Sequence, residues 1–145
     1  MSDDTLTTEF CLRLSRAWST LSRRLDSALG SHHGISFADY QLLLQLHRAP
    51  GARLRRVDLA ERLGLTASGV TRSLLPLEKI GLVTRQSDPR DARVGYASIT
   101  PTGSELVTNA TVVVDNVSRN ALGGPARAQL EAASALMAQL AGAPQ

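Results

Sequence analysis

Leu59-Ala60-Glu61-Arg62-Leu63-Gly64-Leu65-Thr66-Ala67-Ser68-Gly69-Val70-Thr71-Arg72 holds the end of one helix and the start of another. Its first part belongs to a short helix from about Val57 to Leu63, closed by Gly64, the residue type that enters the left-handed conformation of a helix end without steric cost. Thr66 then offers a hydroxyl to the open N–H groups of a longer helix that runs to Ile80 and stops at Gly81. Two helices separated by a few residues around a glycine form a helix-turn-helix. On the second helix Val70, Leu74 and Leu77 recur at the spacing of a core-facing stripe, leaving Ser68, Thr71 and Arg72 for other business.

Outward from this pair, the pattern remains mostly helical. Upstream, Phe10, Leu14, Ala17, Leu21, Leu25 and Ala28 mark a long helix from about Leu6 to Leu29, which Gly30-Ser31-His32-His33-Gly34 interrupts. Ser36 starts the next helix, with Asp39 completing a variant capping box, an apolar face of Phe37, Tyr40, Leu44 and His47, and an end at Ala49-Pro50-Gly51. Downstream, Leu82–Arg85 and Val94–Ile99 have strand character around the turn Ser87-Asp88-Pro89-Arg90-Asp91, a hairpin with a charged tip. A fifth helix opens at Thr100-Pro101-Thr102-Gly103 and carries Leu106, Ala110, Val113, Val114, Val117 and Ala121. After Gly123-Gly124, Pro125 suits the first position of a sixth helix with Leu130, Ala133, Met137 and Leu140. The expected class is mainly α with a small β-wing: a winged helix-turn-helix in the order α-α-α-α-β-β-α-α.

The 145 residues suffice for one unit with its own core, and a 43% hydrophobic content excludes a disordered chain. Only residues 36–100 look able to close by themselves, as a winged helix-turn-helix lobe; residues 1–30 and 101–145 would leave apolar faces open, so they are expected to be the dimerisation helices. No uncharged stretch reaches a membrane span, and an N-terminus bearing Asp3, Asp4 and Glu9 lacks the basic start and apolar core of a signal peptide, so a cytoplasmic protein is expected. Cys11 is the only cysteine, which excludes an intrachain disulfide and a cysteine-based zinc site. No glycine-rich phosphate loop, serine elbow or paired-histidine motif is present, and no cofactor or catalytic residue is expected.

Charge is concentrated. From Arg53 to Arg93 nine basic side chains face five acidic ones, whereas the rest of the chain nets minus one. Fifteen of the sixteen basic residues are arginine, a bias that a GC-rich genome produces as readily as a phosphate-binding function, so position carries more weight than type. The surplus sits on the helix-turn-helix and hairpin, where a DNA backbone would lie. Thr66, Ser68, Gly69 and Thr71 are short enough to let a helix N-terminus approach a duplex, and Arg72 reaches bases or backbone. Arg55, Arg56, Arg85 and Arg90 complete the expected DNA-contacting set, with Arg55 and Arg56 occupying the place of a helix cap. Pro76 falls beyond the DNA-facing turns and is expected to kink the helix without abolishing reading.

Leu59–Leu65, Val70-Thr71-Arg72, Leu77-Glu78-Lys79-Ile80-Gly81-Leu82-Val83, Asp88-Pro89-Arg90-Asp91-Ala92-Arg93 and Ile99-Thr100-Pro101-Thr102-Gly103, in this order and spacing, resemble the MarR family of transcriptional regulators. The resemblance implies a homodimer of triangular outline with recognition helices in successive major grooves of a pseudo-palindromic operator of double-stranded DNA. It implies wing tips in the flanking minor grooves, with Arg90 entering where a narrow groove concentrates negative potential. Asp88 and Arg93 are expected to pair within the wing and hold its shape. Many members of the family are repressors that release DNA on binding a small aromatic or phenolic effector; here Trp18, His33, Phe37 and His47, with His32 nearby, are the candidates to line such a site. Two alternatives stand beside the ligand-released repressor: a Cys11 thiol redox sensor, and a winged-helix protein-interaction module without specific DNA binding.

Overall fold

The computed structural model describes residues 2–142, so the outermost positions of the two expected dimerisation segments, 1 and 143–145, lie outside the described residues. Helix α1 spans Asp3–His33, capped by the Ser2 hydroxyl, which accepts from the Thr5 N–H. It runs straight through the glycine at which an interruption was expected and stops only at Gly34, in the left-handed conformation with φ 68°. A glycine inside a helix costs about 1 kcal/mol relative to alanine; burial of Leu25 and Leu29 over the last turns offsets it. Helix α2, Phe37–Arg48, begins with the expected reciprocal box: Ser36 Oγ accepts from the Asp39 N–H and Asp39 Oδ2 from the Ser36 N–H, both at 3.0 Å. Its buried stripe is Tyr40, Leu42, Leu43 and Leu46, which leaves His47 exposed and Leu44 half-buried, a correction to the expected face. Three consecutive leucines permit several stripes, and α2 meets α5, α3 and the sheet together, so neighbours rather than period select the residues that go inside.

A 3-10 turn, Pro50–Ala52, leads into an unforeseen strand β1, Arg53–Arg55. Three residues with one apolar side chain show no period, and only pairing with a distant strand makes them a strand. Helix α3, Arg56–Leu63, and helix α4, Ala67–Lys79, follow, with Gly64 left-handed between them and Thr66 Oγ1 accepting from the Gly69 N–H. Helix α4 continues as one element through Pro76. Strands β2, Val83–Asp88, and β3, Asp91–Ile99, form the hairpin, and the antiparallel sheet has the order β1-β3-β2. The chain therefore reads α-α-β-α-α-β-β-α-α.

Helix α5, Pro101–Leu122, is capped by Thr100, whose hydroxyl accepts from the Gly103 N–H and donates to Gly81 O at 2.7 Å. Gly103 is where a side chain cannot fit: a β-carbon there would run into Leu82 O and sit 2.7 Å from Ile99 Cγ1. Helix α6, Arg127–Ala141, starts two residues after Pro125, which precedes the cap Ala126 instead of opening the helix. The core joins Leu29 of α1, Leu42, Leu43 and Leu46 of α2, Leu59 of α3, Val70, Leu74 and Leu77 of α4, Val83 and Ala97 of the sheet, and Val107 and Ala110 of α5. Helix α6 contributes no buried residue.

Candidate nucleic-acid interface

The amphipathic halves of α4 separate as their spacing demands. Val70, Leu74 and Leu77 are fully buried, which turns Ser68 and Arg72 outward and leaves Thr71 half-buried at the rim. Thr66 and Ser68 hydroxyls lie 3.3 Å apart at the open end of the helix, and Thr71 Oγ1 donates to Ala67 O. Gly69 is half-buried, and a β-carbon there would crowd Thr66 Oγ1 at 3.1 Å, so its place in the structure is to leave room for the cap.

A groove of about 460 Å³ brings three elements together: Arg55, Arg56 and Val57 from the start of α3, Ala67, Ser68 and Thr71 from α4, and Arg93, Val94 and Gly95 from β3. The helix N-terminus and the base of the wing thus share one concave surface instead of pointing to opposite faces. Pairing of β1 with β3 sets this juxtaposition, because Arg55 stands opposite Tyr96 and the chain turns into α3 at the next residue.

The arginines divide by their partners. Arg55, the residue before α3, makes no capping hydrogen bond and instead places Nε and Nη2 at 2.9 and 3.2 Å from the two oxygens of Asp58. That hydrogen bond, then the carboxylate charge, raises the Arg55 pKa above its ordinary value, so it stays cationic. Arg85 Nε stands 2.8 Å from Glu78 Oε1, linking β2 to α4; the pair is close but poorly directed, and that buried oxygen accepts no well-aligned hydrogen bond. Arg56 is half-buried against Gly95. Arg72 and Arg90 are exposed, and among the described residues neither has an ion-pair partner.

Asp88 and Arg93 do not pair with each other. Asp88 Oδ1 accepts from the Arg90 N–H at 2.8 Å, folding the tip around Pro89 and Arg90, while Arg93 bonds to Asp91 through its backbone N–H at 3.0 Å and through Nε and Nη2. The carboxylate that Arg93 meets is the one two residues before it on its own strand, β3. The Arg93 side chain first, then its N–H, lower the Asp91 pKa below the usual carboxylate value.

The four sensor candidates are not brought to one place. Trp18 and Phe37 have ring centroids 5.9 Å apart, and Phe37 and Tyr40 6.0 Å, a short aromatic row from α1 to α2. Phe37 also lines a cleft of about 360 Å³ with Tyr40, Leu44, Leu63 and Val114. Trp18, His33 and His47 are not part of that lining, and His47 is exposed on α2. Cys11 is exposed on α1. Among the described residues no group of three or more His, Cys, Asp or Glu is placed to hold a metal ion, and no helix is long and apolar enough to cross a membrane.

Four residues matter that sequence reading passed over. Asp58 counts in the sequence only as charge, and Glu78 and Asp91 only as charge and as members of the motifs, yet each holds an arginine; the i,i+3 spacing of Arg55 and Asp58 is a local signal for one of these pairs. Gly95, inside a strand where glycine needs a reason, carries another signal.

The MarR family model matches residues 33–94. Among curated proteins the chain is similar to an uncharacterized HTH-type transcriptional regulator, YdgJ, of Bacillus subtilis, with 31% identity over 77 residues that cover 53% of this chain and 46% of that one. The chain spans about half the length of the curated relatives it matches. Its fold is similar to that of Sco3205, a MarR family transcriptional regulator from Streptomyces coelicolor in complex with DNA, at 27% identity and a TM-score of 0.86, covering 92% of this chain and 84% of that one. A mutant MarR from E. coli complexed with operator DNA has the same fold at 18% identity and a TM-score of 0.82, covering 97% and 99% of the two chains. The family model thus falls on the helix-turn-helix and most of the wing, and the fold that carries them is similar to that of a MarR family regulator.

Proposed function

We propose that this protein is a sequence-specific, double-stranded-DNA-binding transcriptional regulator, a cytoplasmic repressor that works by binding and not by catalysis. The observation that carries the reading is the shared groove: the first turns of α4 and the base of the wing open onto one surface lined by Arg56, Ser68, Thr71 and Arg93, with Arg72 of α4 and Arg90 of the wing tip exposed besides. A duplex laid on that surface meets short hydroxyl side chains and unpaired guanidinium groups, the chemistry that phosphates and base edges require. The DNA-bound state of Sco3205 supports the same reading. In a mobility-shift assay at two salt concentrations, binding to the chain's own promoter region should survive competitor DNA and weaken steeply as salt rises. Equal affinity for promoter and competitor would instead identify an unspecific binder, and no shift at all a protein-interaction module.

The working form is a homodimer, with residues 36–100 as DNA-binding lobe and residues 1–30 and 101–145 as dimerisation helices. A compact monomer of this mass exposes about 7,200 Å²; this chain exposes 9909 Å², with Leu6, Phe10, Leu122, Leu130, Leu136 and Leu140 among its open apolar side chains. The excess is of the size an obligate dimer covers. Release is by a small aromatic or phenolic effector seated in the cleft beside Phe37 and Tyr40, where the aromatic row ends between α2 and α5. Phenolic compounds that raise the melting temperature should lose that effect in Phe37→Ala.

A further inference from the structure

Arg56 and Gly95 meet more closely than any side chain larger than hydrogen would allow. A β-carbon at Gly95 would sit 2.6 Å from Nη2, 2.7 Å from Nε and 3.0 Å from Cζ of Arg56, closer than real β-carbons approach any heavy atom. The backbone does not call for glycine there. Gly95 lacks the positive φ of the turn and cap glycines and pairs opposite Ser87 in the ladder. Glycine inside a strand weakens it, and close approach by another group is a physical reason to have one.

What occupies the space is the guanidinium of Arg56, a half-buried residue whose situation differs from that of its neighbours. Arg55, Arg85 and Arg93 each face a carboxylate, Asp58, Glu78 and Asp91 respectively. Among the described residues Arg56 has no such partner, yet it lines the groove with Ser68 and Thr71. A cation that lines a groove without a counter-charge is free to take an anion there. The anion that fits a groove between a recognition helix and a wing is a phosphate of the duplex.

We propose that Gly95 is a positioning residue for DNA binding: it opens the seat from which Arg56 holds one backbone phosphate between α4 and the wing. The inference rests on the DNA-binding reading above and adds to it a residue that touches no DNA itself. Because the obstructed atoms are the far end of a flexible side chain, a methyl group at Gly95 displaces the guanidinium and leaves the fold intact.

The test uses the full chain and a fluorescein-labelled duplex of random sequence, since phosphate contacts need no operator, with affinity measured by anisotropy across a salt series. For wild type the logarithm of affinity should fall linearly with the logarithm of salt concentration. Arg56→Ala should flatten that slope by about 1.8, the value of one phosphate contact in each half of the dimer. Gly95→Ala removes no charge, yet should flatten the slope by a similar amount with unchanged helicity. Adding Gly95→Ala to Arg56→Ala should change nothing further. The proposal is overturned if Gly95→Ala leaves the slope at the wild-type value, if it weakens binding equally with and without Arg56, or if it costs the protein its helicity. Failure of wild type to bind any duplex would refute the DNA-binding reading itself, a distinct result.

Discussion

At the scale of the residue, what a side chain can do for DNA depends on whether the chain has already used its charge. Arg90 stands at the wing tip with its backbone N–H taken by Asp88 and its guanidinium free of any ion pair among the described residues. Arg90→Ala is therefore expected to weaken operator binding by about 1–3 kcal/mol, the usual worth of a specific contact, while circular dichroism and sedimentation stay as in wild type. Unchanged affinity would remove the tip from the interface. Gly103 poses the opposite question, one of space alone. Gly103→Ala drives a methyl group into the Leu82 carbonyl, backbone that cannot step aside as a side chain does. Destabilisation of about 1–3 kcal/mol is expected, read as a lower midpoint in urea. Neither effect is visible in the identity of the residue: one glycine makes room for a mobile guanidinium, another for a fixed carbonyl.

At the scale of the element, the wing and the recognition helix were legible for different reasons. Helix α4 announces itself through Thr66, its apolar stripe and Gly81, all within local reach, and its bounds came out within a residue. The hairpin is legible from its turn, but β1 is not, because a three-residue strand exists only through a partner far along the chain; the tip offers Arg93 two carboxylates, Asp88 and Asp91, and the sequence does not say which it meets. The Asp91 link makes a testable statement about pH. Its pKa is lowered in the folded wing, so the contact's contribution is present above the ordinary carboxylate value and is lost as pH falls through the lowered one. A nuclear magnetic resonance titration of the Arg93 Nε–H should show protection that disappears only on strong acidification. Asp91→Asn should lack that transition; if the mutant retained it, the partner would be another group.

At the scale of the whole molecule, α1 and α6 raise the question of what a single chain leaves undone. Helix α6 buries nothing within the chain, and Leu130, Leu136 and Leu140 stay exposed along it. Sedimentation equilibrium is expected to give twice the chain mass, and Leu136→Glu to shift the population toward monomer while the winged-helix lobe stays folded; a persistent dimer would move the interface away from α6. By itself, the sequence determined the helix-turn-helix, the capped starts of α2, α4 and α5, the hairpin and the concentration of positive charge, because caps, helical periods and turns act over a few residues. Only the tertiary structure decided which leucines of α2 turn inward, that α1 passes through Gly30, that Arg53–Arg55 is a strand, and which arginines are already paired. The first three depend on groups distant in the chain competing for the same space, which packing settles; among the arginine pairs, Arg85–Glu78 joins two elements, whereas Arg55–Asp58 and Arg93–Asp91 lie within three residues but have rival carboxylates within reach in the sequence.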